Sequence, residues 1–262
     1  MSFEMIDFHT HPFIQEKNNI CRYQDVCDMS PEKSREEFLN LGVSKICGSV
    51  VSTIKPENGD RWAKVKEHND QALALKELYG DFYVPGFHVH PDFLEQSLEE
   101  MYRMANIGVR LIGELVPYID EWSVNYASDA FSVLLEEAAK LDMVVSIHTQ
   151  DLDAMDEMVK NHPDTVIVAA HPGEQESLLR HLERMKMSEN YYLDLSGTGL
   201  FRYGSLRKII DTVGADRVLF GSDFPVCNTA MFLGGVLLDP RISEGEKKLI
   251  FADNAKRLLC LD

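Results

Sequence analysis

Residues 5–12 read Met5-Ile6-Asp7-Phe8-His9-Thr10-His11-Pro12. The stretch reads as a short buried strand that closes on two histidines and a proline. It would make the first strand–helix turn of a chain that alternates strand-like and helix-like runs throughout. A doubly wound nucleotide-binding sheet needs glycines at that turn, so that the backbone can approach a pyrophosphate. This turn holds His-Thr-His-Pro instead. Side chains alternate along a strand, so His9 and His11 are expected on one face, with Phe8 and Thr10 on the other. Two imidazoles on one face can hold a single cation, or can simply bond each other beside a turn.

Working outward from this first strand (5–11), further strands are predicted over 45–52, 82–90, 109–116, 144–149, 166–171, 191–196 and 217–223. Several are near-continuous apolar runs, the pattern of parallel strands covered on both faces. Between them the apolar period is helical: Leu98, Met101, Tyr102 and Ala105 are expected on one buried face, as are Phe131, Leu134, Leu135 and Ala138. Ser30-Pro31 supplies an N-cap and a first-turn proline. Asp92 with Glu95, and Ser243 with Glu246, have capping-box spacing. Gly42, Gly108 and Gly214 follow helical runs where terminal glycines belong. Eight strands, each followed by a helix, in 262 residues predict an α/β fold, a (β/α)8 TIM barrel forming a single domain over 1–262. An open doubly wound sheet is the runner-up. Two long connections, 12–30 and 224–242, are expected to form lids or walls at the barrel mouth.

Composition narrows the partners. Acidic residues number 43 against 26 basic ones, a formal net charge of -17. Such a surface repels phosphate backbones and anionic bilayers, so neither nucleic acid nor membrane is expected as a partner. No run approaches the ~18 apolar residues of a membrane span, and residues 1–12 lack the pattern of a secretory signal, so a cytoplasmic location is expected. Five cysteines without a CxxC pair read as reduced thiols, with a Cys21–Cys27 bridge left open.

The histidines carry the functional signal. Six of the nine (His9, His11, His88, His90, His148 and His171) fall at or near the C-terminal end of a predicted strand, where barrels build their active sites. His148 closes Val-Val-Ser-Ile-His, and His171 closes Val-Ile-Val-Ala-Ala-His. Taken singly, each reads as a structural histidine. Asp223, within Gly-Ser-Asp-Phe-Pro at the end of the eighth predicted strand, reads alone as a turn or cap residue. Glu114 sits among apolar residues in Leu-Ile-Gly-Glu-Leu, so it must reach the barrel mouth, be paired, or be costly to bury. Together these residues put three or four imidazoles and one or two carboxylates at one rim. That donor set suits Zn2+ best, with Mn, Fe or Co also accommodated.

The chain resembles the amidohydrolase superfamily, in its amidohydrolase-2 branch of metal-dependent barrel hydrolases. Asp7-Phe8-His9-Thr10-His11-Pro12 is similar to the opening motif. His68-Asn69 and Phe82…Gly86…Val89-His90-Pro91 resemble the second helix and third strand. His148 and His171-Pro172-Gly173 match the fifth- and sixth-strand histidines. Asp194-Leu195-Ser196-Gly197 and the run from Gly214 to Pro225 resemble the late-barrel signature, and Asp253 to Leu259 the last helix. The resemblance implies that His9, His11 and His148 are metal ligands, and that Asp223 touches the metal and shuttles a proton. His171 would be a second-metal ligand in the manner of some relatives, or a catalytic, substrate-contacting histidine in the manner of others. Glu114 falls where relatives place a bridging lysine or glutamate, which favours a bridged two-metal site over a single metal; a carboxylate behind the ligands is the alternative. One or two divalent metals per chain, a small-molecule substrate and a homo-oligomer follow from the same likeness.

The expected reaction is hydrolysis of an amide, ester or lactone. A bound Zn2+ lowers the pKa of a ligated water from about 16 to about 7, and Asp223 would pass its proton to the leaving group. His88 and His90 are expected either to contact substrate or to be structural. The rivals are a metal-dependent non-oxidative decarboxylase on the same fold, a TatD-type deoxyribonuclease, which the acidic charge opposes, and a metal-binding barrel without enzymatic activity.

Overall fold

The computed structural model describes residues 4–25, 29–56 and 59–261. Among them eight parallel strands pair in sequence order. They are β1 (Ile6–Thr10), β2 (Lys45–Gly48), β3 (Tyr83–Phe87), β4 (Leu111–Leu115), β5 (Val144–His148), β6 (Val166–Ala170), β7 (Tyr191–Asp194) and β8 (Val218–Leu219). The barrel nearly closes through bonds between β1 and the segment after β8. Phe8 N–H donates to Phe220 O at 2.8 Å, His11 N–H to Phe224 O at 2.7 Å, and Asp223 N–H to His9 O at 2.9 Å. The chain is therefore a (β/α)8 barrel.

The helices are α1 (Pro31–Asn40), α2 (Arg61–Tyr79), α3 (Leu94–Asn106), α4 (Pro117–Asp120), α5 (Asp129–Lys140), α6 (Leu152–Asn161), α7 (Gln175–Met187), α8 (Ser205–Val213), α9 (Thr229–Leu237), α10 (Glu244–Lys248) and α11 (Asn254–Leu259). Ser30 caps α1 with proline behind it, and Ser243 and Glu246 form a reciprocal capping box on α10. The cap expected of Asp92 is absent. Pro91–Phe93 form a 3-10 turn, α3 starts after Phe93, and the Asp92 carboxylate is taken by Arg61 and Ser123. Tyr102 also departs from its expected face. It is half exposed while Met101 is fully buried. The expected α5 face of Phe131, Leu134, Leu135 and Ala138 is buried throughout. The connection 224–242 contains helix α9.

Two apolar clusters follow from strand alternation. Val145, Ile147, Ile167, Leu193 and Val218 face the helices with Phe131, Leu135 and Met155. Ile6, Phe8, Leu111, Val144, Val168, Tyr192 and Leu219 fill the barrel, with Ala255 and Leu259 of α11 packed among them. Phe8 thus lies inside, not on the face expected for it. The register of β1 shifts between Asp7 and Thr10, so Ile6 and Phe8 point inward below the shift and His9 and His11 above it. Strand β4 has a matching irregularity between Ile112 and Leu115, and its Gly113–Glu114 peptide is cis. Regular alternation from Leu111 would aim Glu114 at the helices. The shift turns it into the mouth instead.

Candidate metal centre

The mouth gathers His9 from β1, His11 just after it, Glu114 from β4, His148 from β5, His171 after β6, Asp194 from β7 and Asp223 after β8. The geometry fixes which ring nitrogens are free. His9 Nδ1 stands 2.8 Å from Asp194 Oδ2, and His11 Nδ1 stands 3.1 Å from the Ser49 carbonyl. Both partners are acceptors, so both Nδ1 atoms carry a proton, and once any proton on Nε2 gives way to a cation both Nε2 atoms present a lone pair. His171 is set the same way by relay. The Ser196 hydroxyl donates to Asp194 Oδ1, so its oxygen accepts from His171 Nδ1 at 3.0 Å.

The bare nitrogens converge. His9 Nε2 and His11 Nε2 are 3.2 Å apart. Asp223 Oδ1 lies 3.7 Å from the first and 3.5 Å from the second. Glu114 Oε2 lies 3.3 and 3.2 Å from the same two atoms. The other oxygen of Glu114 faces a different pair: Oε1 is 2.8 Å from His148 Nδ1 and 3.5 Å from His171 Nε2. His9, His11 and Asp223 form one set of donors mutually within 4.8 Å, and His9, Glu114 and His171 form another. His148 belongs to neither set and touches the cluster through Glu114.

Electrostatics agree with a cation site. Burial disfavours a charge on His9, but the Asp194 and Glu114 carboxylates outweigh it and raise its pKa well above the ordinary value. Burial likewise opposes ionised Glu114, yet His9 and hydrogen bonds from His11, His148 and His171 hold it well below the usual carboxylate range. His171 is raised against burial by Glu114. Protein protons supply the positive charge that buried carboxylates need here. Converging lone pairs and carboxylate oxygens fit a divalent cation in their place. Asp7 lies beneath, accepting from Ser222 N–H at 3.0 Å, and burial pushes its carboxyl up to about 7.

The sequence-predicted residues His9, His11, Glu114, His148, His171 and Asp223 are thus brought together. His88 and His90 are not. Both are buried, with His88 Nε2 on the Val50 carbonyl at 2.8 Å and His90 Nε2 on the Asp120 carbonyl at 2.9 Å. Asp194 and Ser196 carry no assigned role in the sequence reading, where Asp194-Leu195-Ser196-Gly197 appears only as part of the late-barrel resemblance and as a polar close to the apolar β7. Among the described residues Cys21, Cys47, Cys227 and Cys260 are free thiols; Cys27 lies outside the described residues, so the open Cys21–Cys27 pairing does too.

Fold and site together define a barrel whose mouth holds histidines and carboxylates in cation-binding geometry. The chain belongs to the amidohydrolase family, whose model matches residues 6–261. No curated protein matches it in sequence. Solved structures share the fold. A 2,6-dihydroxybenzoate decarboxylase complexed with 2,6-dihydroxybenzoate is 17% identical, covers 99% of both chains and has a TM-score of 0.77. A dihydroxybenzoic acid decarboxylase from Polaromonas, with bound manganese and 2-nitroresorcinol, is 18% identical over 99% of this chain and 97% of its own, with a TM-score of 0.75. A protein from Pseudomonas putida described as a candidate 2-pyrone-4,6-dicarboxylic acid hydrolase is 18% identical over 100% and 99%, with a TM-score of 0.71. Among the described residues no helix is long and apolar enough to cross a membrane.

Proposed function

We propose that the chain is a metal-dependent hydrolase that cleaves an amide, ester or lactone of a small molecule. The observation that carries this reading is the division of labour in Glu114. One carboxylate oxygen faces His9 and His11 and the other faces His148 and His171, as a bridge between two cation half-sites would require. His9, His11, Asp223 and Glu114 would hold the first cation, and His148, His171 and Glu114 the second. A divalent cation, Zn2+ by preference for these donors with Mn, Fe or Co accommodated, would supply Lewis acidity and a water acidified to near neutrality.

The chain's own residues do the rest. Asp223 reaches the mouth with Oδ1 toward His9 and His11, placed to accept a proton from the attacking water and return it to the leaving group. Its backbone is pinned by the bond from its N–H to His9 O. Where His171 is not a ligand, the Glu114 carboxylate favours its protonated form against burial, and a proton on Nε2 would hydrogen-bond the substrate's carbonyl oxygen.

Elemental analysis tests the reading. Wild type should carry two cations per chain, Glu114→Gln one, and His9→Ala should lose the first. Two cations bound at unchanged affinity by Glu114→Gln would remove the bridge, and a chain that takes up no transition metal would remove the reading itself. The second reading, non-oxidative decarboxylation, is favoured by the decarboxylases among the fold relatives. Carbon dioxide release without oxygen incorporation from labelled water would select it.

A further inference from the structure

A second group of polar side chains lies on the same rim, outside the histidine cluster. A cavity of about 410 Å³ opens between the loops that follow β1 and β2 and the first half of α2. Its lining includes Lys17, Lys55, Lys64 and His68. Three lysines around one cavity run against a chain of net charge -17. Among the described residues, the acids on its wall are already engaged. Asp60 caps α2 by accepting from Ala63 N–H at 3.0 Å, and Glu67 meets Lys17 at 2.6 Å and Gln71 at 3.2 Å.

Lys64 is different. Its side chain is 9% exposed, and its ammonium donates to the Ile119 carbonyl at 3.2 Å, while Asp120 stands off at 3.8 Å. An ammonium has three donors, and this one has a single hydrogen bond beside its ion pair with Asp120. Burial lowers its pKa, and the Asp120 and Glu121 carboxylates only partly restore it. His68 beside it is 3% exposed and lines the cavity as a neutral ring, because burial pushes its pKa down to about 3. A buried ammonium with donors left over beside an open cavity suits a ligand that brings oxygen lone pairs and negative charge.

We propose that this cavity binds the oxyanion of a small molecule, a carboxylate or a phosphate, with Lys64 and His68 at its floor and Lys17 and Lys55 at its lip. Among the described residues the two lip lysines make exposed pairs, Lys17 with Glu67 and Lys55 with Glu121, which exchange readily for a ligand. As recognition of the substrate's charged end, the site rests on the hydrolase reading. As anion binding it does not, and the two can fail separately.

The test is calorimetric titration of benzoate, phenyl phosphate and neutral benzamide into purified protein. Anion binding should persist in His9→Ala, which disables the metal centre. It should weaken roughly tenfold in Lys64→Gln, return within about threefold in Lys64→Arg, and be absent for benzamide. The double variant Lys17→Ala/Lys55→Ala leaves the floor intact and should weaken binding by about two- to fivefold, so the outcome does not hang on the folding of a Lys64 variant. Whichever anion binds more tightly identifies the source of the oxyanion. Equal binding by wild type and both lysine variants, binding of benzamide as tight as benzoate, or binding of neither anion would each overturn the proposal.

Discussion

Asp194 decides what the metal centre presents. One oxygen takes the Nδ1 proton of His9 and the other, through the Ser196 hydroxyl, fixes that of His171. A fully buried carboxylate is costly, and here the Coulomb attraction and hydrogen bond of His9 outweigh burial and hold its pKa low. Asp194→Asn keeps the shape but removes the charge. It offers one carbonyl where two acceptors are needed, so His9 and His171 cannot both be oriented. Such residues behind metal ligands typically tune affinity, and the variant should bind divalent metal about 10- to 100-fold more weakly. Competition with a chromogenic chelator measures this, and unchanged affinity would reduce Asp194 to a packing role. The Asp-Leu-Ser-Gly stretch was legible as part of the family resemblance, but its bonds to the two histidines were not. His9 and Asp194 are 185 residues apart, and nothing local ties one to the other. His9 and His11 were legible because their spacing is local.

At the level of the element, the ligands are placed by departures from regularity. Eight strands could be read from their apolar runs, and each prediction contains the observed strand. What could not be read was the shift in β1 that puts Phe8 and His9 on the same side, or the one in β4 that turns Glu114 inward. Alternation is a local rule, and both shifts are set by the neighbouring strands. Asp92 shows the same limit. Its spacing to Glu95 fits a cap, but Arg61 and Ser123 compete for the carboxylate and win. Close approach at the centre also depends on missing side chains. A Cβ on Gly221 would stand 2.7 Å from the Cβ of His9, and one on Gly197 would stand 2.3 Å from His171 Nδ1. Gly221→Ala should therefore push β1 off the segment after β8 and displace His9, while the helices around the barrel stay in place. The expected result is a native far-ultraviolet dichroism spectrum with a metal content below one cation per chain. Full metal content in this variant would show that β1 gives way without moving its histidine.

Across the whole molecule two groups of histidines respond oppositely to acid. His9 and His171 at the mouth are raised by carboxylates. Those packed behind it are held neutral: burial pushes both His68 and His181 down to about 3. The neutral population resists acid poorly. Between its folded value near 3 and the ordinary 6.5, a depressed histidine binds a proton in the unfolded chain and not in the folded one, so its contribution to stability is present above 6.5 and is lost as the pH falls. Asp7, pushed up to about 7, has the opposite sign, because its folded form holds the proton longer than the unfolded one. The acid stability of the wild type is therefore a sum of opposing slopes, and a difference between variants isolates one of them. His181 is the cleaner choice, since it lies among Thr149, Tyr191 and Arg184, away from the metal ligands' bare nitrogens. His181→Gln removes the titration and keeps a side chain able to hydrogen-bond. The wild type should be the more stable at pH 7.5, and its advantage should shrink by about 2 kcal/mol between pH 6.5 and 5. Urea unfolding of both proteins across that range reads the difference directly. Parallel pH profiles would mean that His181 takes up its proton in the folded barrel as readily as in the unfolded chain.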